Sequence, residues 1–217
     1  MVVGKKEINC LMFFLKTHRD LEPGKYFNTV WVKLPDDVLE YLQRVLDPIK
    51  SNLKWSVLDD GQGAHSVPHI TLRYLGYDSA DLRQKMKSDE VKFRKIIRIY
   101  SPMEIQLGEV FIWEGVDSNG NKTYRLNWKI VDRKKLTELH QELLKILGYD
   151  LFKSLEQENY TPHISLGEIN LKAAGNVDQV KEYLNNLSEN VQTVVLKDFG
   201  LNFSSPNPEE NYRVSLN

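Results

Sequence analysis

The 217-residue sequence predicts an α+β fold made of two similar lobes, on the strength of two observations. The first is a repeated phrase. Residues 67–72 read VPHITL and residues 161–166 read TPHISL, so proline, histidine, an apolar residue, a hydroxyl residue and leucine recur in one order. Ninety-four residues separate His69 from His163, far beyond the period of a solenoid repeat. The second observation is that both copies share a local setting: a strand, a helix, then the strand that carries the phrase. The length suits one large or two small lobes around a buried core.

Taken in order, residues 1–28 read as an N-terminal extension ending in the turn-rich EPGK, with residues 29–217 as one bilobal domain. NTVWVKLP is β-branched and aromatic and stops at Pro35, as a strand does. DDVLEYLQRVL follows with Val38, Tyr41, Leu42 and Val45 at helical spacing, and Pro48 bends or ends that helix. KWSVL is a short strand and DDGQG a loop; HITLRYLG is the strand of the first phrase. A helix opens near Asp78 or Ser79, with a break expected near Ser88 and a strand conceivable at its far end. MEIQLGEVFIWEG and KTYRLNWKIV flank VDSNGN and read as a β-hairpin. DRKKLTELHQELLKILG is a helix between Asp132 and Gly148. The second phrase is again a strand, a helix spans about 176–190, and VQTVVLKDFGLNF and NYRVSLN are two closing strands.

Composition narrows the function. Apolar residues make up 41% and charged residues 27%, and 29 basic against 30 acidic side chains leave a net charge of −1. That balance argues against coating long nucleic acid through a global positive field, while allowing a local basic pocket. Cys10 is the single cysteine, so no internal disulfide and no Cys/His zinc spacing is expected. INCLMFFL is too short for a spanning helix and lacks a small-residue cleavage site after it. The expected protein is cytoplasmic and monomeric, with no membrane partner, no metal and no cofactor.

The phrases carry the chemistry. Alternate side chains of a strand share a face, so His69, Thr71 and Arg73 point one way while Ile70, Leu72 and Tyr74 point the other. His163 and Ser165 likewise share a face, backed by Ile164 and Leu166. If the lobes are related by a pseudo-two-fold axis, two imidazoles and two hydroxyls meet in one cleft. Histidine, with an ordinary pKa of about 6.5, serves as base or acid near neutrality. Two of them can take a proton from an attacking oxygen and give one to a leaving oxygen. Hydroxyls can donate to the non-bridging oxygens of a phosphodiester.

The paired phrases His69-Ile70-Thr71-Leu72 and His163-Ile164-Ser165-Leu166 resemble the motif of the 2H phosphoesterase superfamily. PHITLRYLG and the earlier strand TVWVKLP resemble most its branch of 2′-5′ RNA ligase/2′,3′-cyclic phosphodiesterase proteins. The resemblance spans roughly residues 28–217. It implies a bilobal pseudo-two-fold fold, with two mainly antiparallel sheets facing a central cleft and helices outside. It also implies metal-independent cleavage of nucleotide phosphodiesters, with His69 and His163 as the acid/base pair and Thr71 and Ser165 orienting phosphate. Serine stands in the second phrase where threonine is commoner, which keeps the donor.

Substrate-binding candidates are weaker. Arg73 could grip phosphate bidentately or form a surface ion pair. Tyr160 and Trp113 could stack on a base or sit in the core. Arg125, Asn127 and Lys129 share a strand face that could line the cleft or meet solvent. His65 reads as a loop residue and His140 as lying on a helix surface or flank. The basic run from Arg83 to Arg98, interspersed with Asp89 and Glu90, reads as a solvated helical face. The expected activity is hydrolysis of a 2′,3′-cyclic phosphate to a 2′-phosphate on an RNA end or small oligonucleotide. Cleavage of 2′-5′ oligonucleotides or of cyclic (oligo)nucleotide messengers, or non-catalytic binding of nucleotide or RNA, are the alternatives.

Overall fold

Strands β1 (Phe27–Lys33) and β2 (Leu53–Ser56) are joined by helix α1 (Asp36–Leu46) and a 3-10 turn (Asp47–Asn52). β3 (His69–Tyr77), helix α2 (Ala80–Tyr100) and the hairpin β4 (Met103–Val116) and β5 (Lys122–Ile130) follow. Then come α3 (Lys134–Leu147), β6 (His163–Ile169), α4 (Asn176–Asn185), β7 (Gln192–Leu196), β8 (Asp198–Phe203) and β9 (Tyr212–Ser215). This is a computed structural model. It describes residues 27–56, 69–77, 80–117, 119–147, 160–172, 175–187, 192–203 and 212–216. Of the expected elements, most of the N-terminal extension, the DDGQG loop and His65 lie outside the described residues.

The helices form where apolar residues recur at helical spacing. α1 buries Val38, Leu42, Val45 and Leu46 along one side, carries Asp36 and Asp37 at its positive end, and tightens at Pro48. α2 is continuous, so the expected break at Ser88 is corrected. Its stripe of Leu82, Met86, Phe93 and Ile97 stays buried throughout. The Ser88 hydroxyl is satisfied within the helix by the Lys85 carbonyl at 2.6 Å. Asp89 accepts from Lys85 and Lys92, and Glu90 from Arg94. Those pairs hold the basic run on the helix surface. At the hairpin tip the Asp117 carboxylate accepts the backbone N–H groups of Asn119 and Asn121, and Gly120 takes a φ of 82°.

All strand pairings are antiparallel, and the two lobe sheets join into one with the order β7-β4-β5-β6-β3-β1-β8-β9, with β2 also on β6. The junction is narrow. β3 and β6 share one bridged pair, Ile70 opposite Ile164. Beyond it, β2 takes over the edge of β6 at Gly167–Ile169. VQTVVLKDFGLNF is two strands rather than one: β7 pairs with β4, and after Lys197 alone β8 pairs with β1. Two Cα steps reach less than about 8 Å, yet these strands stand first and seventh in the sheet order. The sheet therefore curls until it is nearly closed. The helices cross between lobes as well. Tyr41 of α1 stacks on Trp128 of β5 at 5.1 Å, and α3 packs on β3 and α2.

A bulge interrupts each phrase strand at the leucine after the hydroxyl. In β3, Thr71 pairs with Trp31 and Arg73 with Val30, so Leu72 is the extra residue. In β6, Ser165 pairs with Asn127 and Gly167 with Leu126, so Leu166 is the extra residue. One extra residue reverses the faces that follow. Arg73, expected on the cleft face, is corrected: it turns to the face of Val30 and is 1% exposed. There its Nη1 donates to Nε2 of His140 at 3.4 Å. His140 is corrected too. It is fully buried under α3, and its Nδ1 donates to the Leu72 carbonyl at 2.7 Å. Burial pushes its imidazole down to about 4, with the neighbouring Arg73 charge lowering it further and the bond to Leu72 opposing.

Two outcomes are expected. A Cβ on Gly167 would lie 2.7 Å from the Trp55 carbonyl oxygen, a backbone atom of β2. Gly167→Ala should therefore loosen β2 from β6 and lower stability by roughly 1–3 kcal/mol in denaturant titration. Unfolded His140 takes a proton near pH 6.5, whereas the folded ring resists until about 4. In that window the unfolded state binds the extra proton, so stability should fall as pH drops through it, by on the order of 3 kcal/mol from this residue. His140→Asn should flatten that slope by one proton.

Candidate active site

The single bridge between β3 and β6 places the two phrases against each other. With Ile70 opposite Ile164, the antiparallel direction brings His69 toward the Ser165 side and Thr71 toward the His163 side of that one pair. Ile70, Leu72, Ile164 and Leu166 are fully buried, while His69, Thr71 and His163 are half-buried and Ser165 is exposed. The four polar side chains thus share the accessible face. The two imidazoles are near enough for His69 to lower the proton affinity of His163.

His163 is held in one state. Its Nδ1 donates to the Thr161 carbonyl at 2.8 Å, so the lone pair of the neutral ring lies on Nε2. Burial lowers its proton affinity below the ordinary histidine value, and the nearby charges of Arg125 and His69 lower it further. The bond to Thr161 works the other way without reversing the sum. The Ser165 hydroxyl donates to Asn127 Oδ1 at 3.3 Å, across its own strand pair.

An indole packs against each imidazole. Trp113 of β4 meets His163 edge-on at 5.5 Å, and Trp31 of β1 meets His69 edge-on at 6.2 Å. Trp113 pairs with Arg125, and Arg125 with Glu168, so these residues share the cleft face. Glu168 is 7% exposed and accepts from Lys54 Nζ at 2.9 Å and Trp55 Nε1 at 3.3 Å, with Arg125 Nε at 4.0 Å. The acid anchors the base of the Arg125 side chain beside His163.

Of the residues singled out in the sequence, the structure brings together His69, Thr71, His163, Ser165, Trp113 and Arg125. Arg73 and Tyr160 stand apart. Tyr160 stacks its ring on His140 at 4.0 Å and 7°, and its hydroxyl donates to the Thr71 carbonyl at 3.0 Å, so that ring face is not offered to a base. Trp31 and Glu168 were not anticipated. The signal for Trp31 lies in its own strand, where it alternates with buried Val30 and Val32 and so faces away from the core. Glu168 has no such signal, because plain alternation from Ile164 and Leu166 puts it behind the sheet and only the bulge brings it forward. Among the described residues, no group of three His, Cys, Asp or Glu side chains is placed to hold a metal ion.

Comparison with known proteins bears on the family and the fold. The family model described as "2'-5' RNA ligase superfamily" matches residues 40–197. No curated protein sequence matches. Among solved structures, TT0787 of Thermus thermophilus superposes with a TM-score of 0.56 at 16% identity, covering 88% of this chain and 96% of that one. Escherichia coli LigT in its apo form superposes with a TM-score of 0.51 at 16% identity, covering 89% of this chain and 96% of its own. At such identities these two show the fold, and the family model spans most of the chain. The chain belongs to the 2′-5′ RNA ligase superfamily, the 2H phosphoesterases.

Proposed function

We propose that this chain is a metal-independent phosphodiesterase that opens 2′,3′-cyclic phosphates on RNA ends or small oligonucleotides, leaving a 2′-phosphate. Membership of the superfamily supports phosphodiester chemistry in general. The observation that carries the finer reading is the register across the Ile70–Ile164 bridge, which gathers two imidazoles and two hydroxyls on one accessible face. Binding alone has no need of a paired acid and base.

We assign the base to His163 from its own surroundings. His163 is neutral in the resting protein and presents an unprotonated Nε2, which suits the base. It takes the proton of a water whose oxygen attacks phosphorus, the bond from phosphorus to O3′ breaks, and His69 gives a proton to the departing oxygen. Thr71 and Ser165 donate to the non-bridging oxygens, where negative charge gathers, and Arg125 adds a fixed positive charge on the His163 side. Among the described residues no helix is long and apolar enough to cross a membrane. We place the protein in the cytoplasm, a placement supported by its single cysteine, and read it as a monomer.

The indole beside each histidine favours a second substrate within the same chemistry. A nucleoside on each side of the phosphate, as in a 2′-5′-linked oligonucleotide, would find one aromatic surface near His69 and another near His163. A panel of cyclic-phosphate RNA, 2′-5′ oligonucleotides and cyclic dinucleotides, assayed with excess EDTA, separates these readings. Turnover should persist in chelator; restoration by Mg²⁺ or Mn²⁺ after loss would reject the mechanism.

His69→Ala and His163→Ala should each lower kcat by roughly a hundredfold or more, and the double variant should fall little further because both act in one displacement. Thr71→Ala and Ser165→Ala should cost about ten- to a thousandfold. The acid limb of kcat/KM against pH reports the base, so its midpoint should lie below 6.5. Arg125→Gln removes a charge that depresses His163 and should move that limb to higher pH. A limb that stays fixed would rule out His163 as the base.

A further inference from the structure

One bridged residue pair is little to hold two strands in register, yet the chemistry proposed above needs Thr71 placed to within a fraction of an ångström. The bulge adds to the problem. It removes Leu72 from the ladder with β1 at the residue next to Thr71 and leaves backbone groups there to be satisfied from elsewhere. Two side chains supply those bonds, and both come from beyond β3. Tyr160, three residues before His163, donates its hydroxyl to the Thr71 carbonyl at 3.0 Å. His140, on α3, donates Nδ1–H to the Leu72 carbonyl at 2.7 Å. Their rings lie nearly parallel at 4.0 Å, so each limits the tilt of the other. Arg73 Nη1 donates to His140 Nε2, which fixes the tautomer that keeps the proton on Nδ1. Consecutive carbonyls at the bulge are thus clamped by a stacked pair, one member of which leads directly into the second phrase.

We propose that Tyr160 and His140 are positioning residues: by clamping the carbonyls of Thr71 and Leu72 they set the Thr71 hydroxyl toward the phosphate and tie the first phrase to the second. Neither touches the reacting atoms, and both act through the backbone of β3. The kinetic part rests on the catalytic reading of Thr71, whereas the geometric part does not.

The test pairs a measurement that needs no turnover with one that does. Tyr160→Phe removes the hydroxyl and keeps the stack. His140→Leu removes the donor, and His140→Asn restores a side-chain amide N–H near the position of Nδ1. With threonine methyl groups labelled, the Thr71 side chain should report one χ1 rotamer in the wild type and in His140→Asn, and averaging in Tyr160→Phe and His140→Leu. Kinetically, Tyr160→Phe should lower kcat roughly tenfold with KM within about twofold. In a Thr71→Ala background it should change kcat less than about twofold, since there is no hydroxyl left to misplace. A residue that merely stabilises the fold would cost the same factor in both backgrounds. One rotamer retained in both Tyr160→Phe and His140→Leu, or an equal factor in both backgrounds, overturns the proposal. If Thr71→Ala itself leaves turnover intact, the catalytic reading of Thr71 falls while the rotamer measurement still decides the clamp.

Discussion

The contact on which the rest of the site depends is the backbone pairing of Ile70 with Ile164. It is the hinge of the pseudo-two-fold axis. Because strand side chains alternate, burying these two isoleucines behind the sheet turns the residues on either side of them forward together. A slip of one residue in either strand would reverse both faces and bury an imidazole. Heavy apolar packing behind the junction, with Ile70, Leu72, Ile164 and Leu166 all inaccessible, makes such a slip costly.

The two phrase strands share a local pattern about that pair and differ in what surrounds it. Both phrase strands carry a bulge at the leucine after the hydroxyl, and each histidine is edged by an indole. The neighbours across the strands differ. Thr71 faces Trp31 on β1, while Ser165 faces Asn127 on β5. Arg125 and its buried partner Glu168 stand near His163. Differences beside the strands, rather than in the phrases themselves, thus give His163 surroundings of its own.

How much of this was legible in the chain follows from what alternation can and cannot encode. The phrase, the proline before it and the helix stripes are local patterns, and they gave the lobes, the hairpin and the shared face of His69 with Thr71 and of His163 with Ser165. Alternation failed at the bulges. It put Arg73 in the cleft and Glu168 behind the sheet, because an extra residue leaves no mark in composition. The burial of His140 is hidden for a different reason. A histidine among leucines on an amphipathic helix reads as a flank, and only the orphaned carbonyl of Leu72, sixty-eight residues away, explains its burial. Tyr160 stands beside a phrase in the sequence, but its partners come from α3 and β3. The crossing at Lys197 was hidden because two short strands in line look like one long strand until their partners are known.

That crossing bears on how the chain is made. β8 is the neighbour of β1 in the lobe that contains His69, yet it is synthesised about 170 residues later. A nascent chain that has released only its first half carries β1 and β3 with both outer edges open, and α3, which covers β3, is still to come. The lobe of His69 is not a contiguous stretch of sequence, whereas β4, β5, β6 and β7 follow one another and take only β2 from outside, so the lobe of His163 has its strands first. Folding is dominated by pairings between distant segments, a topology associated with slow assembly. The lobe that holds His69 is complete only once the last strands have returned to the first.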